Sequence, residues 1–309
     1  MRGLPAGSAH TCVTSPPYFG LRDYGHEGQI GLEETPDAFV AKLVEVFREV
    51  RRVLREDGTL WLNLGDSYAG TGKSGGGAQG ERWASAGADT TGPRGGKWAP
   101  PPQGLKRKDR MMIPARTALA LQADGWWLRD EIVWHKPRPT PHPVKDRTVS
   151  AHEMIYLFAK SPVYYYDYLA IEEPSAYPGL KRKAGKAFRD LADADPNAAR
   201  KRPGVDREIV VRETRRKRSV WSVSPSPYKD GHFATFPPDL IEPCILAGAP
   251  KGGTVLDPFG GSGTTAGVAV KHGRRAILCE LNPEYAALIP ARVASIAGDT
   301  PDMFMEAAE

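Results

Sequence analysis

Two stretches of the chain carry residues whose types and spacing point to chemistry. The first is Thr14-Ser15-Pro16-Pro17-Tyr18, directly after the apolar run Ala9 to Val13. That run reads as a buried strand, and open α/β sheets place their ligand crevices where strands end. Two consecutive prolines fix two φ angles and remove two N–H donors, so the carbonyls of Ser15 and Pro16 are left to accept from another group. A rigid, acceptor-rich turn ending in an aromatic ring suits a planar group that carries an NH2. A bare Pro-Pro pair ordinarily does no more than close a strand; the hydroxyl before it and the phenol after it are what add chemistry.

The second stretch is Val255-Leu256-Asp257-Pro258-Phe259-Gly260-Gly261-Ser262-Gly263-Thr264-Thr265. A strand, a glycine turn and a helix put the N–H groups of a helix N-terminus beside a ligand, and the glycines allow close approach. Glu280 ends the next predicted strand, twenty residues after Gly260, about where an acid accepts from ribose hydroxyls. Gly261-x-Gly263-x-x-Ala266 also satisfies the dinucleotide fingerprint, which keeps a nicotinamide-dependent oxidoreductase as an alternative from another class. A nucleoside triphosphate does not fit, because no Lys-Ser/Thr follows the glycines. Asn63, Asp66 and Ser67 stand at the exit of a third predicted strand, Thr59 to Leu64.

Read together, the two motifs resemble those of the β class of DNA amino-methyltransferases, in which the catalytic motif precedes the cofactor motif. The similarity runs, with interruptions, from about Leu4 to about Ala297. It implies a Rossmann-like, circularly permuted α/β methyltransferase fold that uses S-adenosylmethionine and releases S-adenosylhomocysteine. Asp257-Pro258-Phe259 resembles the methyltransferase version of the glycine turn and has no role in a pyrophosphate site. The resemblance assigns Thr14, Asp257 and the run Phe259, Gly260, Gly261, Ser262, Gly263 and Thr264 to the cofactor. It also gives Glu280 to the ribose, Leu281 to the adenine, and His232, Phe233, Ala234 and Thr235 to the methionine end. The family ordinarily has one more strand ahead of the catalytic one, ending in an acid near the adenine; only a few residues precede Ala9 here. Either the sheet lacks that strand or the true start lies upstream of Met1.

The implied chemistry is attack by an exocyclic amine whose lone pair is delocalised into a base. If the Ser15 hydroxyl and the Pro16 carbonyl accept its two hydrogens, with Pro17 stiffening the turn, the nitrogen is drawn toward tetrahedral geometry. The enzyme's task is then positioning and electrostatic stabilisation. Tyr18 stacks on the base, which has to be extruded from the duplex to reach the donor. Serine in the motif favours N4 of cytosine over N6 of adenine. Asn63 occupies a position where a family member can carry an acid; as an amide it is no base, which leaves Asp66, bulk water or no dedicated base. Pro243-Cys244 sits in a predicted helix without the context of a carbon-5 nucleophile, and His152-Glu153 lacks the second histidine of a zinc helix. No metal is expected.

These motifs need a scaffold. A chain of 309 residues is long enough for one large α/β domain. Apolar residues from Asp37 to Leu54 recur at helical spacing, with Thr35-Pro36-Asp37 as a start signal and Asp57-Gly58 as the stop. Further helices are predicted from about Pro114 to Ala123, Asp239 to Ala249, Thr264 to His272 and Pro283 to Ala297. Predicted strands run from Trp127 to Trp134, Met154 to Lys160, Thr254 to Leu256 and Arg275 to Cys279, which implies a mainly parallel sheet with helices on both faces. Tyr164-Tyr165-Tyr166 reads as aromatic strand residues or as a stacking platform.

Residues 1–168 read as the catalytic half, with a Gly-, Ser- and Pro-rich stretch at 69–104 expected to be mobile without DNA. Residues 221–309 form the cofactor half, and 169–220 a basic target-recognition insert. From Lys181 to Arg218 there are 14 Lys plus Arg against 6 Asp plus Glu, a local +8, which leaves −3 for the remainder of a chain whose net charge is +5. That asymmetry reads as a footprint for a phosphate backbone. The candidate DNA contacts are Lys181, Arg182, Lys183, Arg200, Lys201, Arg202, Arg215, Arg216, Lys217 and Arg218. Expected partners are double-stranded DNA and a cognate restriction endonuclease, with the protein a monomer or homodimer. No apolar run approaches a membrane span and no signal-peptide core is present, so a cytoplasmic location is expected. An inactive DNA-binding homologue is the non-enzyme alternative.

Overall fold

A computed structural model of the chain describes residues 1–21, 25–70, 101–139, 145–183, 208–225 and 236–298. Outside them lie Arg22 to Tyr24, residues 71–100 of the Gly-rich stretch, the basic residues Arg200, Lys201 and Arg202, and the assignment of His232, Phe233, Ala234 and Thr235 to the cofactor. The chain divides into two compact units, residues 1–167 with 219–309, and residues 168–218.

The larger unit is built on a seven-stranded sheet. Its strands are β1 (Ala9–Thr14), β2 (Leu54–Leu64), β3 (Trp127–His135), β4 (His152–Ala159), β9 (Val220–Ser222), β10 (Thr254–Asp257) and β11 (Arg275–Leu278). The order across the sheet is β11-β10-β1-β2-β4-β3-β9. Neighbours are parallel except around β4, which runs antiparallel to both β2 and β3. The N-terminal end of β4 therefore lies at the edge of the sheet where β1, β2 and β10 terminate. Among the described residues β11 is the outermost strand on its side.

Helix α1 (Pro36–Val53) opens on Thr35, whose hydroxyl accepts the Ala38 N–H at 3.1 Å, followed by Pro36 and Asp37. Its stripe of Phe39, Leu43, Phe47 and Val50 is fully buried. With α2 (Ile113–Ala123) it covers the sheet face that carries Leu60, Leu62 and Leu64. On the opposite face, which carries Thr59 and Trp61, lies α3 (Pro238–Gly248), where Gly248 lets the helix approach: a Cβ there would meet the Thr11 hydroxyl oxygen at 2.5 Å. Helix α4 (Thr264–Lys271) packs beside α3, and α5 (Pro283–Ala297) packs on α4.

Two predicted elements differ from what is observed. The helix ends at Val53 and β2 begins at Leu54, five residues earlier than predicted. The pairing with β1 jumps from Ala9↔Leu54 to Thr11↔Thr59, so the polar Arg55-Glu56-Asp57-Gly58 segment is absorbed as an irregularity within the strand. Tyr164, Tyr165 and Tyr166 belong to no strand. Tyr166 stacks on buried Trp61 with ring centroids 6.1 Å apart, and Tyr164 meets Tyr166 edge-on.

The smaller unit consists of two antiparallel pairs. Strand β5 (Glu173–Pro174) pairs with β8 (Thr214–Arg215), and β6 (Lys181–Lys183) pairs with β7 (Glu208–Val210). Arg215 and Arg218 both donate to Glu173 Oε1, at 2.9 and 2.6 Å. Arg216 lies over the ring of Tyr168, 5.1 Å from its centroid.

Candidate active site

The two motifs end neighbouring strands. Strand β1 pairs in parallel with β10 in the register Thr11↔Val255 and Cys12↔Leu256, so the turn after Thr14 and the turn after Asp257 leave the sheet side by side. They are also joined directly: Thr14 Oγ1 donates to Asp257 Oδ1 at 2.6 Å. The same carboxylate accepts from the Phe259 N–H at 3.0 Å and, through Oδ2, from Thr265 Oγ1 at 2.7 Å. Burial pushes the Asp257 carboxyl up to about 6, against the lowering effect of these three donors. Asp257, assigned from the sequence to the cofactor, thus has both oxygens engaged in tying the strand exits together.

Beyond Thr14 the chain presents Ser15 half-buried, and its hydroxyl makes no hydrogen bond among the described residues. Pro16 is buried and Pro17 half-buried. The Tyr18 ring lies against Gly65 at the exit of β2, where a Cβ would overlap ring atom Cε2 and come within 2.9 Å of Cδ2. The Tyr18 hydroxyl donates to Glu153 Oε2 at 2.8 Å and lies 3.3 Å from Asn63 Oδ1. Asn63 in turn donates from Nδ2 to the Met154 carbonyl at 3.1 Å.

Asp66 is placed nearby but is committed elsewhere. It accepts from Arg110 Nε at 2.7 Å, from its neighbour Ser67 N–H at 3.0 Å, and from Ile113 N–H at 3.1 Å, where it serves the first turn of α2. A carboxylate holding a guanidinium and a helix start is poorly placed to take a proton from a substrate amine.

The glycine turn after β10 has the form of a ligand cradle. Gly261 and Gly263 adopt φ of +53° and +92°, values that side chains other than glycine rarely take. Close packing adds a second constraint at Gly263, where a Cβ would lie 3.0 Å from Ile289 Cγ2. Glu280 accepts the Gly261 N–H at 2.7 Å and the Asn282 N–H at 2.9 Å, so each oxygen is oriented by one backbone donor and retains lone pairs for another. Ser262 and Thr264 are buried, and their hydroxyls have no hydrogen-bond partner among the described residues. Leu281 is 59% exposed beside them. Orphaned buried hydroxyls, an anchored acid and an exposed apolar side chain fit a ligand that combines a polar tail, a ribose and a planar base.

The candidate DNA contacts of the sequence lie in the smaller unit, Lys181, Arg182 and Lys183 on β6 and Arg215, Arg216, Lys217 and Arg218 on or after β8. Among the described residues no three His, Cys, Asp or Glu side chains group as metal ligands, and no helix is long and apolar enough to cross a membrane. Three residues at the catalytic turn are not among the site candidates of the sequence: Gly65, Glu153, which is weighed there only as part of a zinc motif, and Lys136, whose ammonium pairs with Glu153 Oε1. Nothing local marks them, because Glu153 reaches Tyr18 only through the reversed direction of β4.

Comparison with known proteins agrees with this geometry. A family model described as DNA methylase matches residues 9–290. The chain is 44% identical over 293 residues to the Type II methyltransferase M.XycI of Xanthomonas campestris pv. cyanopsidis, covering 95% of this chain and 84% of that one. It is 40% identical to the Type II methyltransferase M.SmaI of Serratia marcescens over 294 residues, covering 95% and 87%. Among solved structures, the PvuII DNA methyltransferase (cytosine-N4-specific) superposes with a TM-score of 0.60 at 19% identity over 94% of this chain and 81% of that one. A putative DNA modification methylase of Thermus thermophilus, complexed with S-adenosyl-L-methionine, gives 0.56 at 24% identity over 100% and 95%. Adjacent motif strands, a glycine cradle and these similarities over nearly the full length lead to one assignment: the chain belongs to the N6/N4 family of DNA methylases.

Proposed function

We propose that the protein transfers a methyl group from S-adenosylmethionine to the exocyclic N4 amine of a cytosine extruded from double-stranded DNA. The observation that carries the reading is the 2.6 Å hydrogen bond from Thr14 to Asp257, since it holds the amine-binding turn beside the glycine cradle. The cofactor supplies, when bound, a methyl group made electrophilic by its sulfonium. Ser262 and Thr264 offer the cradle's unpartnered hydroxyls to it, Glu280 its free lone pairs to the ribose, and Leu281 an apolar surface to the adenine. Ser15 and the Pro16 carbonyl accept the two amine hydrogens, and Tyr18 stacks on the base. With the cofactor bound, the lone pair drawn out of the ring would form the new N–C bond as the sulfonium's S–C bond breaks, its electron pair staying on sulfur so that S-adenosylhomocysteine leaves as a neutral thioether. The proton released from the methylated nitrogen would pass to water, since Asp66 is held by Arg110 and α2.

Cytosine is favoured over adenine by serine in the motif, and a solved methyltransferase described as cytosine-N4-specific shares the fold. The Type II naming of the relatives supports a restriction–modification setting with an endonuclease of matching specificity. The test is incubation of unmethylated plasmid DNA with labelled S-adenosylmethionine, followed by nucleoside analysis. Label in N4-methylcytosine is expected; label in N6-methyladenine would move the target, and DNA binding without label would reduce the chain to a binding protein. Ser15→Ala should lower the turnover number by about 100-fold, the order expected for one lost transition-state contact.

A further inference from the structure

The catalytic turn is backed by a chain of contacts that the proposed chemistry does not use. The Tyr18 hydroxyl donates to Glu153 Oε2 at 2.8 Å. Glu153 is a largely buried carboxylate at the start of β4, and its other oxygen is bound by Lys136 just beyond the end of β3. The Lys136 ammonium lies 4.3 Å from the centre of the Trp134 ring, which is itself fixed by donation from Nε1 to the Val223 carbonyl at 2.8 Å. Strands β3, β4 and β9 thus converge on one phenol. A partly buried carboxylate and ammonium held this way are expensive to place unless each is paired, and here the pair leaves one carboxylate oxygen aimed at Tyr18.

We propose that Glu153 is a positioning residue for methyl transfer, one that fixes the Tyr18 ring so that its stacking face is set before the extruded base arrives. This rests on the reading of Tyr18 as the stacking ring. A tyrosine has two soft torsions; the 2.8 Å bond at the far end of the ring restrains both, whereas contact with Gly65 restrains only one side. The entropy of ordering the ring is then met on folding rather than on substrate capture, which lowers the barrier to transfer. Lys136 acts on Glu153 in the same sense, holding its carboxylate in orientation.

The experiment is a double-mutant cycle on the full chain, read as initial rates of labelled methyl transfer to unmethylated plasmid DNA. Tyr18→Phe and Glu153→Ala should each lower kcat by about tenfold, the order of one charge-assisted hydrogen bond. The double variant should be no slower than the worse single one, because both remove the same contact. The KM for DNA should stay within about twofold, and cofactor affinity measured without DNA should not change. Multiplicative losses in the double variant, a loss confined to KM, or a Glu153→Ala protein as fast as the parent would each overturn the proposal. Tyr18→Ala separates it from the reading beneath it: parental turnover in that variant would remove the stacking role itself. Should Glu153→Ala fail to fold, Lys136→Met takes its place in the cycle, with the same non-additivity expected at about threefold and multiplicative losses overturning it.

Discussion

Asp257 is a buried carboxylate that holds two hydroxyls and one amide, and its burial raises its pKa to about 6 from an ordinary 3.8. Between those two values the folded protein binds a proton that the unfolded chain has released, so stability falls as pH rises through the window and levels off above it. A shift of about two units corresponds to roughly 3 kcal/mol. Measured by urea unfolding, the stability of the parent relative to Asp257→Asn, which cannot titrate, should therefore drop by up to that amount between about pH 4 and pH 6. A flat difference would mean that the carboxylate is not desolvated. Gly65 makes a second prediction at this scale. A methyl group there collides with the Tyr18 ring, and Gly65→Ala should lower kcat by about tenfold while leaving cofactor affinity intact, since a displaced ring costs orientation rather than binding. The motif residues themselves are legible in the sequence, because their types carry chemistry. The partners that fix them are not: Thr14 and Asp257 stand 243 positions apart, and Gly65 is one glycine among 33.

Among the elements, the helices and most strands follow from periodicity to within one or two residues. Burial of one stripe or of alternate residues is what the sequence pattern records. Strand β2 is misread at its start because Arg55 to Gly58 has the composition of a turn, yet the parallel partner β1 tolerates it as an irregularity. The short paired strands of residues 168–218 are hidden by their charge, and the direction of β4 leaves no trace in its composition. What joins the elements at the site is the bond from the end of β1 to the end of β10. Thr14→Val keeps the shape of the side chain but leaves a buried carboxylate short of one donor, at a cost of about 1–3 kcal/mol near neutral pH. The cost should shrink at pH 5, where Asp257 is mostly protonated and needs fewer donors. Chemical unfolding of Thr14→Val at the two pH values checks this, and an equal or larger penalty at pH 5 would contradict the role given to the bond.

For the whole molecule, charge is the property that separates the two units. Residues 168–218 carry 14 Lys plus Arg against 8 Asp plus Glu, a net +6, while the rest of the chain sums to −1, so on the proposal that this unit contacts DNA its association should weaken steeply with salt. The cations are not equivalent, however. Arg215 and Arg218 share Glu173, and although burial opposes it, those guanidiniums hold the Glu173 carboxyl below the usual carboxylate range. Arg216, exposed and lying over Tyr168, has no such ion pair among the described residues, which leaves its guanidinium able to meet a phosphate. Removing a phosphate contact reduces the slope of log K against log salt by about one. Titrations of duplex DNA between about 50 and 200 mM salt should therefore show a shallower slope for Arg216→Ala and a nearly parental slope for Arg215→Ala. Arg215→Ala should instead unfold at lower temperature, because half-buried Glu173 loses one of its two partners. Equal slopes for both variants would show that pairing inside the unit does not decide which cation reaches the backbone.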